Sequence, residues 1–376
     1  MKKGWQTKTL GEICDIERGG SPRPIKRFIT TDPSGINWIK IGDATASGKY
    51  IYKTEEKIKP DGVKRSRMVY DGDFILSNSM SFGRPYIMKT TGCIHDGWLV
   101  LHQPKVDPDY LYHALSSDLV FDQFDRLAAG STVRNLNIGL AKSVEIPYPP
   151  LAEQQRIVGL LDEAFEGLAT AKANAEKNLQ NARALFESHL QSVFTHRGPG
   201  WVEKKVESLG EIRTGKRDAN HKVENGPYPF YTCAFGQFKS PTFSFDGPSI
   251  ILPGNGANVG KVFFHDDKFE AYQRTYVVNE LSQGINPRFL YFCFSAKWPG
   301  WIATKQFGSA TNYIVVGDLK AFPVPTPSLL VQEAIVEKLE SFTEQTQRLA
   351  RLYERKLAAL EALKKSLLHQ AFTGQL

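Results

Sequence analysis

Apolar residues recur at helical spacing over two long stretches, residues 149–198 and 327–376, and the two stretches are copies of each other. In the second, Ile335, Leu339, Phe342, Thr346, Leu349, Tyr353, Leu360, Leu363 and Leu367 follow a heptad with few defects. In the first, Ile157, Leu161, Ala164, Leu168, Ala171, Ala175, Ala182 and Leu185 lie on the equivalent face. Gln154, Ile157, Val158 and Leu161 match Gln332, Ile335, Val336 and Leu339, 178 positions further on. The register holds without a gap to Leu190, Phe194 and Thr195, which match Leu368, Phe372 and Thr373. Pro149-Pro150 and Pro327-Ser328 are helix starts, and Glu153 or Glu333 falls in the first turn, where the dipole favours it. Gly198-Pro199 and Gly374 are stops, and Gly159 and Gly167 could kink the first copy. Each helix runs about 44 residues, or roughly 65 Å.

A seam of that length needs a partner. The small alanine face of the first helix suits the Leu and Tyr face of the second, so the two are expected to pack antiparallel, with Leu161, Leu168, Ala175 and Ala182 facing Leu339, Leu349, Tyr353 and Leu360. The chain then reads lobe, long helix, lobe, long helix, with lobes at opposite ends of a rod about an approximate two-fold axis. The alternative packs each helix onto its own lobe.

The lobes repeat as well. Gly4-Trp5 and Leu10-Gly11-Glu12-Ile13 return as Gly200-Trp201 and Leu209-Gly210-Glu211-Ile212, and Tyr110-Leu111-Tyr112 returns as Phe289-Leu290-Tyr291. Short strands are predicted at residues 38–41, 74–76 and 98–101 between Gly, Pro and Asp turns, and a helix over 109–127. Between these anchors the lobes diverge, which suggests one scaffold serving two different targets and is equally what an old duplication leaves.

Composition narrows the function. At 376 residues and 41% hydrophobic, the chain has material for two or more packed domains. No apolar run is long enough to span a bilayer and no signal-peptide pattern opens the chain, so a cytoplasmic location is expected. Cys14, Cys93, Cys233 and Cys293 are far apart and read as reduced thiols, and no clustered Cys and His suggest a metal. The net charge of +7 is concentrated in the lobes: residues 1–150 hold 21 Lys and Arg against 17 Asp and Glu, and residues 200–326 hold 14 against 11. Two basic lobes divided by near-neutral helices suit a polyanion; ordinary solubility charge is the bland alternative. No GxSxG, HExxH or methyltransferase motif appears, and residues 252–262 fail as a phosphate loop because Asn255 and Val262 stand where Gly and Ser or Thr are required.

Reading a duplex needs Arg, Lys, Asn, Gln, Ser or Thr on loops that reach a groove. Ser77, Asn78, Ser79 and Arg84 supply these in the first lobe, and Asn255, Asn258 and Lys261 occupy the corresponding loop of the second. Each loop follows an apolar strand and ends in Gly plus a cation; an ordinary hairpin turn has the same pattern. Arg18, Arg23, Lys26 and Arg27, with Arg134 and Asn135, are the further candidates in the first lobe; Arg213, Lys216, Arg217, Gln273, Arg274, Thr311 and Asn312 are those in the second. Lys64-Arg65-Ser66-Arg67 reads as a solvated or phosphate-facing run.

Pro-Leu-Ala-Glu-Gln-Gln-Arg-Ile-Val at 150–158, its copy at 328–336, and the paired Leu-Gly-Glu-Ile openings resemble the specificity (S) subunits of Type I restriction–modification systems. The resemblance covers essentially the whole chain and its duplication. It implies an α+β fold: two mixed α/β target recognition domains, residues 1–148 and 199–326, separated by two conserved long α-helices, 149–198 and 327–376, packed as an antiparallel coiled coil with a pseudo-two-fold internal repeat. It further implies a non-catalytic subunit that reads a gapped, asymmetric double-stranded DNA site, one half per domain. The helix pair would act as spacer and dock adenine methyltransferase (M) subunits, with a restriction (R) subunit joining. Methyl donor, magnesium and ATP belong to those partners, so no cofactor is expected here. Two alternatives stand beside it: recognition domains with their own methyltransferase or nuclease activity, and a coiled-coil scaffold that binds only proteins.

Overall fold

A computed structural model describes residues 4–78, 83–128, 136–234, 236, 238–305 and 311–376. The chain divides into two compact units, Met1–Asn174 with Lys356–Leu376, and Ala175–Arg355. Each unit therefore holds a stretch of both long helices, which run from Leu151 to Thr195 and from Leu329 to Thr373.

Strand alternation builds the first unit. Phe74–Ser77 sends Phe74 and Leu76 into one core and Ile75 into another. Trp98–His102 divides the same way: Leu99 and Leu101 join the first core, Trp98 and Val100 the second. These strands lie in a five-stranded sheet with Asp15–Arg18, Pro85–Met88 and Tyr50–Ile51. The first core is closed by the helices Pro108–Leu115 and Asp118–Ala128 through Leu111, Leu115, Val120 and Phe124. The second core is closed by Ile39, Val69 and Ile94 of a second five-stranded sheet. The helix expected over residues 109–127 is thus two helices. Buried Ser117 makes the break: its hydroxyl donates to the Ala114 carbonyl at 2.6 Å, and its own carbonyl accepts from the amides of Val120 and Phe121 in the next turn.

The second unit repeats the plan with different residues. Ile250 and Leu252 of Ser249–Pro253 join one core and Ile251 the other; Val278 and Val277 of Thr275–Asn279 separate likewise. Both units close their ends with a short ladder. Gln6–Thr9 pairs antiparallel with Glu145–Tyr148, and Val202–Lys205 pairs with Pro323–Thr326, so each long helix leaves from a strand tied to its unit's opening segment.

The long helices pack on each other in both units, in antiparallel order. In the first unit Arg156 Nη2 donates to the Leu376 carbonyl at 3.0 Å and Lys172 Nζ meets Glu361 Oε1 at 2.7 Å. In the second, Arg183 Nη2 meets Glu354 Oε1 at 3.0 Å, and the rings of His189 and Phe342 lie 4.8 Å apart. The expected pairing is found, and the alternative of each helix on its own lobe is not, because the first helix and the second each dock on the sheet-bearing part of both units. Ile157, Leu161, Leu368, Ala371 and Phe372 share a cluster with Tyr110 and Ala114. Leu190, Phe194, Val336 and Leu339 share one with Phe289 and Phe292. The Tyr110 and Phe372 rings sit edge to face at 5.3 Å, and their copies Phe289 and Phe194 lie 5.4 Å apart.

A buried glutamine fixes each helix start. Gln154 Oε1 accepts from the Asp107 amide at 2.9 Å, and its Nε2 donates to the Pro149 carbonyl at 2.8 Å. Its copy Gln332 accepts from the Asn286 amide at 2.8 Å and donates to the carbonyls of Gly284 and Pro327. Asp107 and Asn286 are themselves the N-caps of Pro108–Leu115 and Pro287–Ala303. One side chain thus joins a long helix to the cap of the helix it packs on.

The heptad reading overreaches in places. Ala175, Ala182 and Leu339 are buried, and Leu168, Tyr353 and Leu360 are half-buried, as the seam requires. Leu185, Leu349 and Leu363 are 52%, 37% and 47% exposed, so these three lie outside the seam. A strict seven-residue repeat drifts by about 20° per heptad against a straight helix, enough to carry such positions to the margin. Gly159 and Gly167 do not interrupt the first helix, and a Cβ at either would meet nothing within 4 Å. The four cysteines are free, and burial pushes the Cys14 and Cys293 thiols up to about 12.

Two stability outcomes follow. Gly159→Ala and Gly167→Ala should each stabilise the chain by about 0.5–1 kcal/mol, because they raise helix propensity without a clash; a lower melting temperature would show that these turns are not regular helix interior. Gln332→Leu strands the Asn286 amide and two carbonyls and should cost about 1–3 kcal/mol in denaturant unfolding; an unchanged midpoint would remove the anchoring role.

Candidate nucleic-acid interface

The same backbone frame gathers the candidate loops in each unit. In the first, the Gly19 amide donates to the Trp98 carbonyl at 2.9 Å, the Asn78 amide to the Gly97 carbonyl at 3.0 Å, and the Leu136 amide to the Asn78 carbonyl at 3.2 Å. In the second, Gly215 donates to Thr275 at 3.2 Å, Gly254 to Arg274 at 2.9 Å, and Ile314 to Gly254 at 2.8 Å. Four segments meet in each case: the end of the first sheet strand, the turn at Gly97-Trp98 or Arg274-Thr275, the residue that follows Phe74–Ser77 or Ser249–Pro253, and the residues preceding a short helix. Close approach demands glycine at the crossing. A Cβ on Gly19 would lie 2.0 Å from the His95 carbonyl oxygen, and one on Gly215 would lie 1.9 Å from that of Ala271.

In the first unit the hub is Asp96, which the sequence reading missed. Its carbonyl accepts from Arg18 Nε at 3.1 Å and from Asn78 Nδ2 at 3.0 Å. Its carboxylate accepts from Ser21 Oγ at 2.6 Å and from Arg23 Nη2 at 3.3 Å. The Ser21 hydroxyl, more than the Arg23 guanidinium, holds this carboxyl below its ordinary range. Arg18, Arg23, Lys26 and Arg27 are exposed, and Arg65 lies beside them through its backbone approach to Gly20. Arg67 is engaged with Glu17 at 3.1 Å. Ser77 and Asn78, expected on an exposed loop, are buried at 0% and 1% exposure; Asn78 positions the Asp96 turn from beneath. Arg84 is exposed, its guanidinium 5.4 Å from the Tyr86 ring centre. Ser79, Arg134 and Asn135 lie outside the described residues.

In the second unit the counterpart of the His95–Gly97 turn is Tyr272–Arg274. Gln273 and Arg274 are exposed at its tip, with Lys216, Thr311 and Asn312 exposed nearby. The Gln273 amide donates to the Arg217 carbonyl at 2.9 Å, and Gly256 donates to the Asn312 carbonyl at 2.8 Å, so four of the expected segments are tied into one surface. Asn255 is half-buried and bridges Tyr313 in the backbone. Asn258 is 7% exposed and its Nδ2 donates to the Cys233 carbonyl at 2.8 Å, which makes it a support for the loop that carries the half-buried Lys261. Two arginines are committed to carboxylates. Arg213 Nη2 meets Glu280 at 2.7 Å, and Arg217 Nε meets Glu270 Oε2 at 3.4 Å. Glu270 is fully buried, and its same oxygen accepts from Ser244 Oγ at 2.9 Å.

This duplicated frame with unlike contents has known relatives. A family model for the Type I restriction modification DNA specificity domain matches residues 2–179 and again 199–358. The chain belongs to that family. It is similar to the Type I restriction enzyme EcoDI specificity subunit of Escherichia coli, 34% identical over 178 residues, covering 46% of this chain and 39% of the relative. It is also similar to the Type I restriction enzyme MjaIX specificity subunit of Methanocaldococcus jannaschii, 26% identical over 253 residues, covering 61% and 57%. The chain thus spans less than two thirds of the length of either relative. Among solved structures, one described as addressing complex assembly and conformational transition of the type I R-M system matches with a TM-score of 0.83 at 20% identity over 100% of this chain and 99% of that one, which shows the fold is shared. No helix among the described residues is long and apolar enough to cross a membrane.

The Arg217 pairing has a direct check. Arg217→Ala leaves the Glu270 carboxylate buried with only hydroxyl and amide donors, and should cost about 2 kcal/mol in unfolding, less than a fully buried pair because the arginine is 43% exposed. Recovery in the double variant with Glu270→Gln would confirm the cause; an equal loss in the double variant would contradict it.

Proposed function

We propose that this chain is the DNA sequence-recognition subunit of a Type I restriction–modification complex, acting in the cytoplasm. Residues 1–148 and 199–326 serve as two target recognition domains, each reading one half of a gapped, asymmetric duplex site. The helices at 149–198 and 327–376 set the separation of the half-sites and dock the methyltransferase subunits, with a restriction subunit joining the assembly. The chain is non-catalytic and holds no cofactor of its own; methyl transfer and ATP-dependent cleavage belong to the complex.

One observation carries this reading: both units present polar and cationic side chains on the same four-segment frame, and those side chains differ. A shared frame places the surface against a duplex in the same manner twice, and unlike side chains let it read two sequences. In the first unit Arg23, Lys26 and Arg27 are suited to phosphates, with Arg18 beside them; Arg84 stands apart, over Tyr86. In the second, Lys216 and Arg274 take that part, while the amides of Gln273 and Asn312 match the N6 and N7 groups of adenine in the major groove. Ser77, Asn78 and Asn258 act through the loops they hold. Arg213 and Arg217, tied to Glu280 and Glu270, are positioning residues.

Binding to duplexes at graded salt, with the methyltransferase subunits present, tests the assignment. Lys26→Ala with Arg27→Ala should weaken binding to all sequences alike and lower the slope of log K against log salt by about 2. Gln273→Ala should cost about 1–3 kcal/mol at one base of a single half-site and leave the other half-site untouched. Salt-independent binding, or a loss spread over both half-sites, would contradict the reading.

A further inference from the structure

The first unit leaves a pocket at the carboxyl end of a parallel strand pair, and the second leaves one along the corresponding strand Tyr228–Tyr231, in a part of the chain where the two units share no sequence. In the first unit Ile36–Ile39 runs parallel to Gly92–Ile94, with Trp38 opposite Cys93. In the second, Tyr228–Tyr231 runs parallel to Glu270–Ala271, with Phe230 opposite Glu270. Cys93 and Glu270, their partners, each lie five residues before the acceptor of the Gly19 or Gly215 amide, so Trp38 and Phe230 hold the same place in the sheet. Each is nearly buried, at 3% and 2% exposure, and each forms the floor of its pocket. The first pocket has a volume of about 1110 Å³ and the second about 470 Å³.

The lining of the first has a definite chemistry. Pro24, Ile25 and Ile41 make apolar walls above Trp38, and the His95 ring lies 6.1 Å from that of Trp38. Burial pushes His95 down, so its ring is neutral at physiological pH and behaves as another flat wall. Arg23 and Lys26 stand at the rim, where Arg23 and Lys26 also belong to the surface assigned above to phosphates. Lys40 is taken up by Glu56 at 2.8 Å. The acceptors are the carboxylates of Glu55, which is exposed, and Asp96. Flat apolar walls, a cationic rim and carboxylate acceptors are the features of a site for a nucleobase that carries an amino group: the walls take the ring, the cations take the flanking phosphates, and a carboxylate accepts from the exocyclic N–H.

We infer that this pocket receives one base of the target DNA, turned out of the stack, and selects a base bearing an exocyclic amino group. Cytosine and adenine present donors to Asp96 or Glu55, whereas thymine presents a carbonyl acceptor that a carboxylate repels. Among the described residues no carboxylate lines the second pocket; Thr232, Lys239 and Lys261 are its polar side chains, with Asn258 held beneath them by the Cys233 carbonyl, so it selects a different base. The inference rests on the DNA-reading function proposed above and adds how one position of each half-site is discriminated.

The test uses the assembled complex on its own target duplex, with 2-aminopurine stepped through the half-site that unit 1 reads. Gly42→Trp is the blocking variant, because Gly42 lines the pocket, is exposed, and a Cβ there meets nothing within 4 Å. Trp38→Leu is the second variant, with folding of both followed by circular dichroism. Expected is a several-fold rise in fluorescence at one position on binding, abolished by Gly42→Trp, together with at least a tenfold loss of discrimination against thymine at that position. A rise that survives Gly42→Trp belongs to base extrusion by the methyltransferase subunits and does not support the pocket. Selective duplex binding with no position sensitive to Gly42→Trp or Trp38→Leu overturns the inference and leaves the reading function standing. Absence of selective binding to any duplex overturns both.

Discussion

The packing of two long helices on each other and on the sheet-bearing part of each unit is the interaction everything else depends on. Neither helix could remain ordered alone, since most of its surface is polar and its apolar positions form a narrow stripe. Burial of that stripe happens in two ways at once. Where the helices meet the first unit, Ile157, Leu161, Leu368, Ala371 and Phe372 join Tyr110 and Ala114 in one cluster. In the second unit Leu190, Phe194, Val336 and Leu339 join Phe289 and Phe292. Removing either member would expose the same apolar surface, so helix pairing and helix docking are one energetic event in each unit. The ion pairs Lys172–Glu361 and Arg183–Glu354 are exposed and contribute little energy; they favour one register over its neighbours.

Polar anchors give this apolar packing its geometry. Gln154 and Gln332 are buried, and each satisfies both ends of its amide. A hydrophobic contact tolerates sliding by a turn; a buried amide bonded to a helix cap does not, because sliding would strand its partners. The same logic operates at the opposite end of each sheet. The His95–Trp98 turn in the first unit and the Tyr272–Thr275 turn in the second gather neighbouring segments through backbone carbonyls and amides, and in the first unit Asp96 adds side-chain bonds from Arg18, Ser21, Arg23 and Asn78. Where the frame rests on backbone bonds, the side chains projecting from it differ between the units, whereas the side-chain contacts to Asp96 belong to the first unit. That separation of scaffold from contents lets one fold carry two surfaces of different composition.

Most of the architecture is legible in the sequence because it is written twice. The helix starts after Pro149-Pro150 and Pro327-Ser328, the antiparallel pairing and the buried alanines Ala175 and Ala182 all follow from periodicity and duplication. The errors have physical causes. Ser117 breaks a helix through hydrogen bonds that apolar spacing does not register. Leu185, Leu349 and Leu363 fit a heptad on paper but fall outside the seam in space. The candidate surface is less legible. A loop rich in Ser and Asn reads as exposed, yet Ser77, Asn78 and Asn258 are interior supports. Arg213 and Arg217 read as free cations, yet their carboxylate partners Glu280 and Glu270 lie more than fifty residues away along the chain. Asp96 was invisible for the same reason: nothing local marks a residue that gathers Arg18, Ser21, Arg23 and Asn78.

The central proposal is that the length of the paired long helices sets the gap between the two half-sites. The most direct measurement is methylation-aware genome sequencing of cells carrying the chain with seven residues removed from each long helix at facing positions. Seven residues keep the seam in phase and shorten each helix by about 10 Å. The account predicts a methylated motif with both half-sites unchanged and a gap shorter by about three base pairs, at roughly 3.4 Å per step. Methylation of the original motif at the original gap would contradict it.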